Sequence, residues 1–177
     1  MPTHPRIEYP LIEVSIEDQK LRFLTEDDSV YFNIATAKNG AGELENSGKT
    51  PRGWHRIVAA IGHGQPINAV FVGRRPTGEI YTPELAQQFP ERDWILTRIL
   101  WLQGLEIGRN RMGNVDTMRR YVYIHGVPDS KVMGVPGSAG CINMNNNDLL
   151  RLFDLAPAGT KVWIQEESFA RIECVTL

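Results

Sequence analysis

Cysteine is scarce in this 177-residue chain: only Cys141 and Cys174 occur, too few for a disulfide framework. An excess of either charge is missing too. Lys and Arg number 19 against 21 Asp and Glu, a net charge of −2, so no bulk attraction to nucleic acid or anionic membrane is implied. No apolar run could span a bilayer, and Met1 to Pro5 lacks a basic segment followed by an apolar stretch and a small-residue cleavage site. The expectation is a protein that is not exported, cytoplasmic unless a leader has been removed, with neither nucleic acid nor membrane as partner. Metal and phosphate signatures are lacking as well. Gly62-His63-Gly64, near His55, has no HExxH or Cys-x-x-Cys spacing around it and reads as a surface turn with His63 exposed. Gly73 to Gly78 lacks the glycines and the Lys-Ser/Thr of a P-loop. No metal and no cofactor are expected. Without repeats, low-complexity tracts or linkers, residues 1–177 are expected to be one domain, long enough to bury a core and working as a monomer.

What is present is mainly β. Aromatic and β-branched residues with turn signals between them predict strands at Ile12 to Ile16, Lys20 to Leu24, Tyr31 to Ala35, Trp54 to Ile61, Ala69 to Val72, Tyr121 to Ile124 and Lys161 to Gln165. Ile95 to Leu102 is ambiguous by periodicity and is assigned as a strand for its β-branched content and the glycine beyond. A last strand is expected over Ala170 to Leu177, with Cys174 buried in it. Helices are expected at Asn114 to Arg120, opened by an Asn cap with Asp116 in its first turn, and at Asn147 to Leu155, closed by Pro157 and Gly159. Trp94 and Trp101 read as core. The long, polar, Pro-containing stretch Gly73 to Asp93 is the candidate loop lid.

The chemistry-bearing pair is His125 and Cys141, sixteen positions apart on two Gly-rich segments. A thiol attacks well only as thiolate, and a neighbouring imidazole is a usual means of producing one near neutral pH. His125 ends a predicted strand. Gly137, Ser138, Ala139 and Gly140 precede the thiol, and their small size lets a substrate carbonyl approach the main chain. The N–H groups of Gly140 and Cys141 are candidate oxyanion donors. The alternative is that Cys141 is a small buried residue and His125 closes a turn. The flanking glycines and the polar run Asn143 to Asn147 weigh against it. Arg109, Arg111, Arg119 and Arg120 form a basic cluster before the His125 strand. Arg109 is the candidate contact to a substrate carboxylate, against a solvated charged face.

Ile124-His125-Gly126, then Ser138-Ala139-Gly140-Cys141-Ile142-Asn143-Met144, then Asn147-Asp148-Leu149-Leu150 and Gly159-Thr160-Lys161-Val162 form an ordered series. It resembles the YkuD-type L,D-transpeptidases of bacterial cell walls, and Thr50-Pro51-Arg52-Gly53 resembles that family's Thr-Pro-x-Gly turn. The similarity is strong in the last third of the chain and weak from Gly62 to Arg120. It implies a β-sandwich-like fold of mixed sheets with one or two short helices and a loop lid. It also implies Cys141 as nucleophile, His125 as base, and the Gly126 carbonyl as the group orienting the imidazole. Ser138 and Ala139 would border the substrate. Ala139 stands where many relatives have a second His, and Asn143 stands where Arg is frequent, as a polar residue shaping the site. The implied substrate is a peptidoglycan tetrapeptide or muropeptide, acylating Cys141 with loss of D-alanine. Water as the acceptor gives an L,D-carboxypeptidase of muropeptide recycling, which the missing leader favours; an amine gives a cross-linking L,D-transpeptidase. A non-catalytic muropeptide-binding protein on the same fold and a cysteine hydrolase of unrelated substrate are further alternatives.

Overall fold

The computed structural model describes residues 7–173. Among the described residues there are ten strands, three α-helices and one 3₁₀ turn. The strands are β1 Leu11–Ser15, β2 Lys20–Leu24, β3 Ser29–Ala35, β4 Gly53–Ile61, β5 Ala69–Val72, β6 Arg75–Ile80, β7 Ile95–Gly104, β8 Tyr123–Gly126, β9 Ile142–Met144 and β10 Lys161–Gln165. The helices are α1 Pro83–Gln88, α2 Asn146–Leu155 and α3 Phe169–Glu173.

The strands hydrogen-bond in the order β4-β10-β1-β2-β3-β9-β8-β7-β5-β6, and β4 also pairs with β7. The sheet therefore closes on itself, leaving the β5–β6 hairpin outside the ring on the edge of β7. Two pairings, β1 with β10 and β8 with β9, are parallel and the others antiparallel, so the fold is mainly β with a mixed sheet, as expected. Along β1 and β2 the inward positions carry Ile12, Val14, Leu21 and Phe23. They pack with Ile57, Leu100, Leu102, Ile124, Ile142 and Val162 into one core. Helix α2 adds Leu149 and Leu152 from one face, at the spacing of an amphipathic helix. A smaller cluster of Ala69, Phe71, Ile99 and Tyr123 lies under the β5–β6 hairpin, and Ile61, Ile95, Trp101 and Cys141 pack against it.

Several expectations shift. Tyr121 and Val122 precede β8 rather than open it, and His125 and Gly126 lie inside the strand, paired with Ile99 and Leu96 of β7. The helix expected over Asn114 to Arg120 is instead a 3₁₀ turn, Gly113–Val115, followed by turns. The Asp116 carboxylate accepts the N–H groups of both Met112 and Arg119, an alternative to helical pairing that short acidic side chains offer. The strand expected over Ala170 to Leu177 begins as helix α3, where Ser168 Oγ accepts the Ala170 N–H; Cys174 lies outside the described residues. The stretch Gly73 to Asp93 contains β6 and α1 rather than a structureless loop. Trp94 and Trp101 are half-buried.

Candidate functional site

Strands β8 and β9 run side by side and in parallel, so His125 and Asn143 occupy partner positions. One residue before β9 lies Cys141. The three side chains line a cavity of about 370 Å³ together with Ser138, Ala139, Arg120, Tyr121, Lys38, Lys131 and Asp93. Three cations and one carboxylate thus face the thiol and the imidazole. Arg109, by contrast, is not brought to this cavity. It pairs with Glu106 at 3.1 Å, and Arg120 is the member of the basic cluster that reaches the site. Arg120 is held by the carbonyls of Glu43 at 3.1 Å and Lys49 at 2.6 Å.

The loop before Cys141 is fixed by hydrogen bonds at Gly137, Ser138 and Gly140. Ser138 Oγ donates to the Cys141 carbonyl at 2.5 Å and accepts the Gly140 N–H at 3.1 Å. Gly140 has φ +138°, a conformation that favours glycine. Thr50, fully buried, donates from Oγ1 to the Gly140 carbonyl at 2.9 Å and accepts the Ala37 N–H at 2.9 Å. The Thr-Pro-Arg-Gly turn thereby buttresses a loop ninety residues later in the chain. In this state the Gly140 N–H is engaged by Ser138, whereas no hydrogen bond to another described residue involves the Cys141 N–H.

His125 is buried and its Nδ1 lies 2.7 Å from the Gly126 carbonyl oxygen. A carbonyl can only accept, so Nδ1 carries the proton and Nε2 is left as the basic nitrogen. A Cβ on Gly126 would overlap Asn146 Oδ1 and the Leu96 carbonyl. Asn146 is itself buried between Thr97, Val127 and Asp129, so only glycine fits there. The Cys141 thiol donates to the Tyr121 carbonyl at 3.5 Å and its sulfur accepts the Tyr123 N–H at 3.3 Å. Among the described residues no hydrogen bond joins it to His125.

Burial decides the protonation of both groups. It pushes the His125 imidazole below its ordinary value of 6.5, against the pull of the Gly126 carbonyl and Asp93 and with the help of Lys131. It pushes the Cys141 thiol up to about 12, with Asp93 adding to the rise and the Tyr123 N–H and Arg120 opposing it. Near neutral pH the pair is thus a neutral imidazole and a neutral thiol. His55 and His63 take no part in this cavity: His55 is buried between the Gly53 carbonyl and Thr117 Oγ1, and His63 is exposed.

Sequence reasoning did not single out Thr50 for the loop contact it makes, nor Lys38, Asp93, Tyr121 or Lys131. Only Arg120 carried a signal, as one of four neighbouring arginines. No helix among the described residues is long and apolar enough to cross a membrane.

Solved structures with this fold include an L,D-transpeptidase mutant from Enterococcus faecium at 17% identity, covering 92% of this chain and 52% of that one with a TM-score of 0.55. An L,D-transpeptidase from Xylanimonas cellulosilytica is 17% identical, covering 91% and 63% with a TM-score of 0.52. L,D-transpeptidase 3 from Mycobacterium tuberculosis is 12% identical, covering 88% and 60% with a TM-score of 0.53. The chain spans little more than half the length of these proteins. No curated protein sequence matches it. The sequence model of the YkuD family, the L,D-transpeptidase catalytic domain, matches residues 9–164, and the chain belongs to that family.

Proposed function

We propose that the protein is a cysteine acyl-transfer enzyme acting on peptidoglycan tetrapeptide stems, with Cys141 as nucleophile and His125 as base. The observation that carries this reading is the shared cavity, where thiol, basic imidazole nitrogen and three cations converge. The cations suit a stem peptide, which carries several carboxylates. Arg120 and Lys131 are the favoured contacts, with Asn143, Ser138 and Ala139 shaping the wall.

Because the pair starts neutral, the thiolate forms only as substrate enters. The S–H turns from the Tyr121 carbonyl toward His125 Nε2, which takes the proton as sulfur attacks the carbonyl carbon of the third stem residue. The oxyanion forms at the Cys141 N–H, with the Gly140 N–H as a second donor if it leaves Ser138. The Gly126 carbonyl holds the imidazole in the required tautomer and stabilises the positive charge it gains. As the intermediate collapses the C–N bond breaks, the nitrogen of D-alanine takes the proton from His125, and a thioester remains on Cys141.

We assign deacylation to water, making the enzyme an L,D-carboxypeptidase: His125 takes a proton from water, whose oxygen attacks the thioester carbonyl, and returns it to the departing thiolate. The cavity of about 370 Å³ suits a single stem. Cross-linking is the second reading. It is favoured by a neighbouring cavity of about 510 Å³ that shares Tyr121 and is lined by Trp101, Met118, Arg111 and Arg119, room for an acceptor stem.

Mass spectrometry of products from a purified disaccharide-tetrapeptide tests the reading. Tripeptide and free D-alanine are expected, and a dimer in place of tripeptide would overturn the hydrolytic assignment. Cys141→Ala should abolish both turnover and covalent labelling by a carbapenem while leaving the fold intact. Failure of wild-type Cys141 to be labelled by a carbapenem would favour a non-catalytic muropeptide binder.

A further inference from the structure

The sulfur of Cys141 is gripped by the main chain of two tyrosines, and both tyrosines are gripped by one arginine from a different part of the fold. Arg74 sits in the turn between β5 and β6 with φ +64°. Its guanidinium lies 4.7 Å from the ring centre of Tyr121 and 4.7 Å from that of Trp101, and its Nη1 donates to Tyr123 Oη at 3.1 Å. Trp101 in turn is anchored by its indole N–H to the Met118 carbonyl at 3.1 Å and meets the Tyr123 ring edge-on. The arginine therefore ties the hairpin tip to both residues whose backbones contact the sulfur.

Tyr121 needs such a tie. It has φ +54°, the left-handed region that a bulky side chain avoids, the residue is more than half exposed, and its ring meets that of Trp101, which lies under the same guanidinium, with centroids 6.1 Å apart. Its carbonyl is nevertheless the acceptor for the Cys141 thiol. A planar guanidinium can cover two ring faces and still donate in its plane; an ammonium cannot.

We propose that Arg74 is a positioning residue for the nucleophile: by clamping Tyr121 and Tyr123 it fixes where the Cys141 sulfur points and how far water reaches it. This rests on the acyl-transfer reading of Cys141, while the geometry of the clamp does not. Without the clamp Tyr121 relaxes, the thiol loses its carbonyl acceptor and gains water, and both changes favour the thiolate.

The test compares wild type with Arg74→Ala, Arg74→Lys and Tyr123→Phe, measuring Cys141 alkylation by iodoacetamide against pH, with Cys174 resolved by peptide mapping, and kcat and KM on disaccharide-tetrapeptide. Arg74→Ala should move the alkylation midpoint to lower pH, speed alkylation at pH 8 several-fold, and lower kcat at least tenfold with KM nearly unchanged, since the freed sulfur is more exposed but misaimed. Arg74→Lys should resemble Arg74→Ala, and Tyr123→Phe, which keeps the ring and the main-chain donor, should fall between. An alkylation profile of a folded Arg74→Ala protein superimposable on wild type, or full restoration by Lys, overturns the proposal. If Arg74→Ala fails to fold, the Lys and Phe variants give the same two readouts. If wild type turns over no stem, the acyl-transfer reading fails and the alkylation profiles still decide on the clamp.

Discussion

At the residue scale the site is a pair of neutral groups made so by burial. If His125 is the base proposed above, it must be neutral to act, and its pKa, lowered from 6.5 by burial, gives a definite pH dependence. The rate of Cys141 acylation should rise with pH along a limb centred below 6.5, as His125 loses its proton, and then stay flat through the mildly alkaline range because the thiol does not ionise there. Stopped-flow acylation by a carbapenem from acid to alkaline pH checks this; a limb centred near 8 or above would point to thiolate formation as the controlling step instead. His125 and Cys141 were legible in the sequence because their surroundings are local: a strand end and a run of small residues. Which arginine reaches the cavity was not. Arg109 and Arg120 belong to one basic cluster, and only the path of the chain through the turns after β7 sends Arg109 to Glu106 and Arg120 to the site.

At the element scale the site depends on β8 lying between β7 and β9 with no side chain at Gly126. Gly126→Ala would drive a methyl group into Asn146 Oδ1 and the Leu96 carbonyl, shifting the start of α2 and the bulge in β7. A loss of about 1–3 kcal/mol is expected from such overpacking, read as a lower urea midpoint, together with slower acylation as the carbonyl that holds His125 moves. Alternating strands such as β2, β4 and β10 were legible because buried positions recur with period two along them. Strand β9 was not. Its three residues carry no periodicity and exist because β3 and β8 flank them. The Asn114 to Arg120 segment misled for the opposite reason: it has cap-type residues, but Asn114 lies inside the 3₁₀ turn and caps nothing, and Asp116 spends its carboxylate on closing turns.

At the scale of the whole molecule the closing of the sheet through β4 and β7 buries groups far from the thiol, and His55 is the clearest of them. It is fully buried in β4, bonded to the Gly53 carbonyl and to Thr117 Oγ1, and burial lowers its pKa to about 4. The unfolded chain takes up this proton near 6.5 and the native protein only near 4. Stability from this group is therefore full above 6.5 and is lost as pH falls toward 4, by roughly 3 kcal/mol. Urea unfolding at pH 7 and pH 4 should show His55→Gln losing less stability between the two than wild type; equal losses would mean that other groups govern acid sensitivity. His125, also pushed down by burial, acts in the same direction in both proteins and cancels in the comparison.

The sequence by itself determined the β-rich class, most of the strands and the family, and singled out His125 and Cys141 as candidates, because each is written in short-range patterns of side-chain period, turn residues and motif order. Only the tertiary structure decided which cations face the thiol, that Thr50 buttresses the Gly140 loop, that Arg74 reaches Tyr121 and Tyr123, and that the His125 and Cys141 pair rests uncharged. Those features come from contacts between distant segments and from the water those contacts exclude, and no local pattern of residues encodes either.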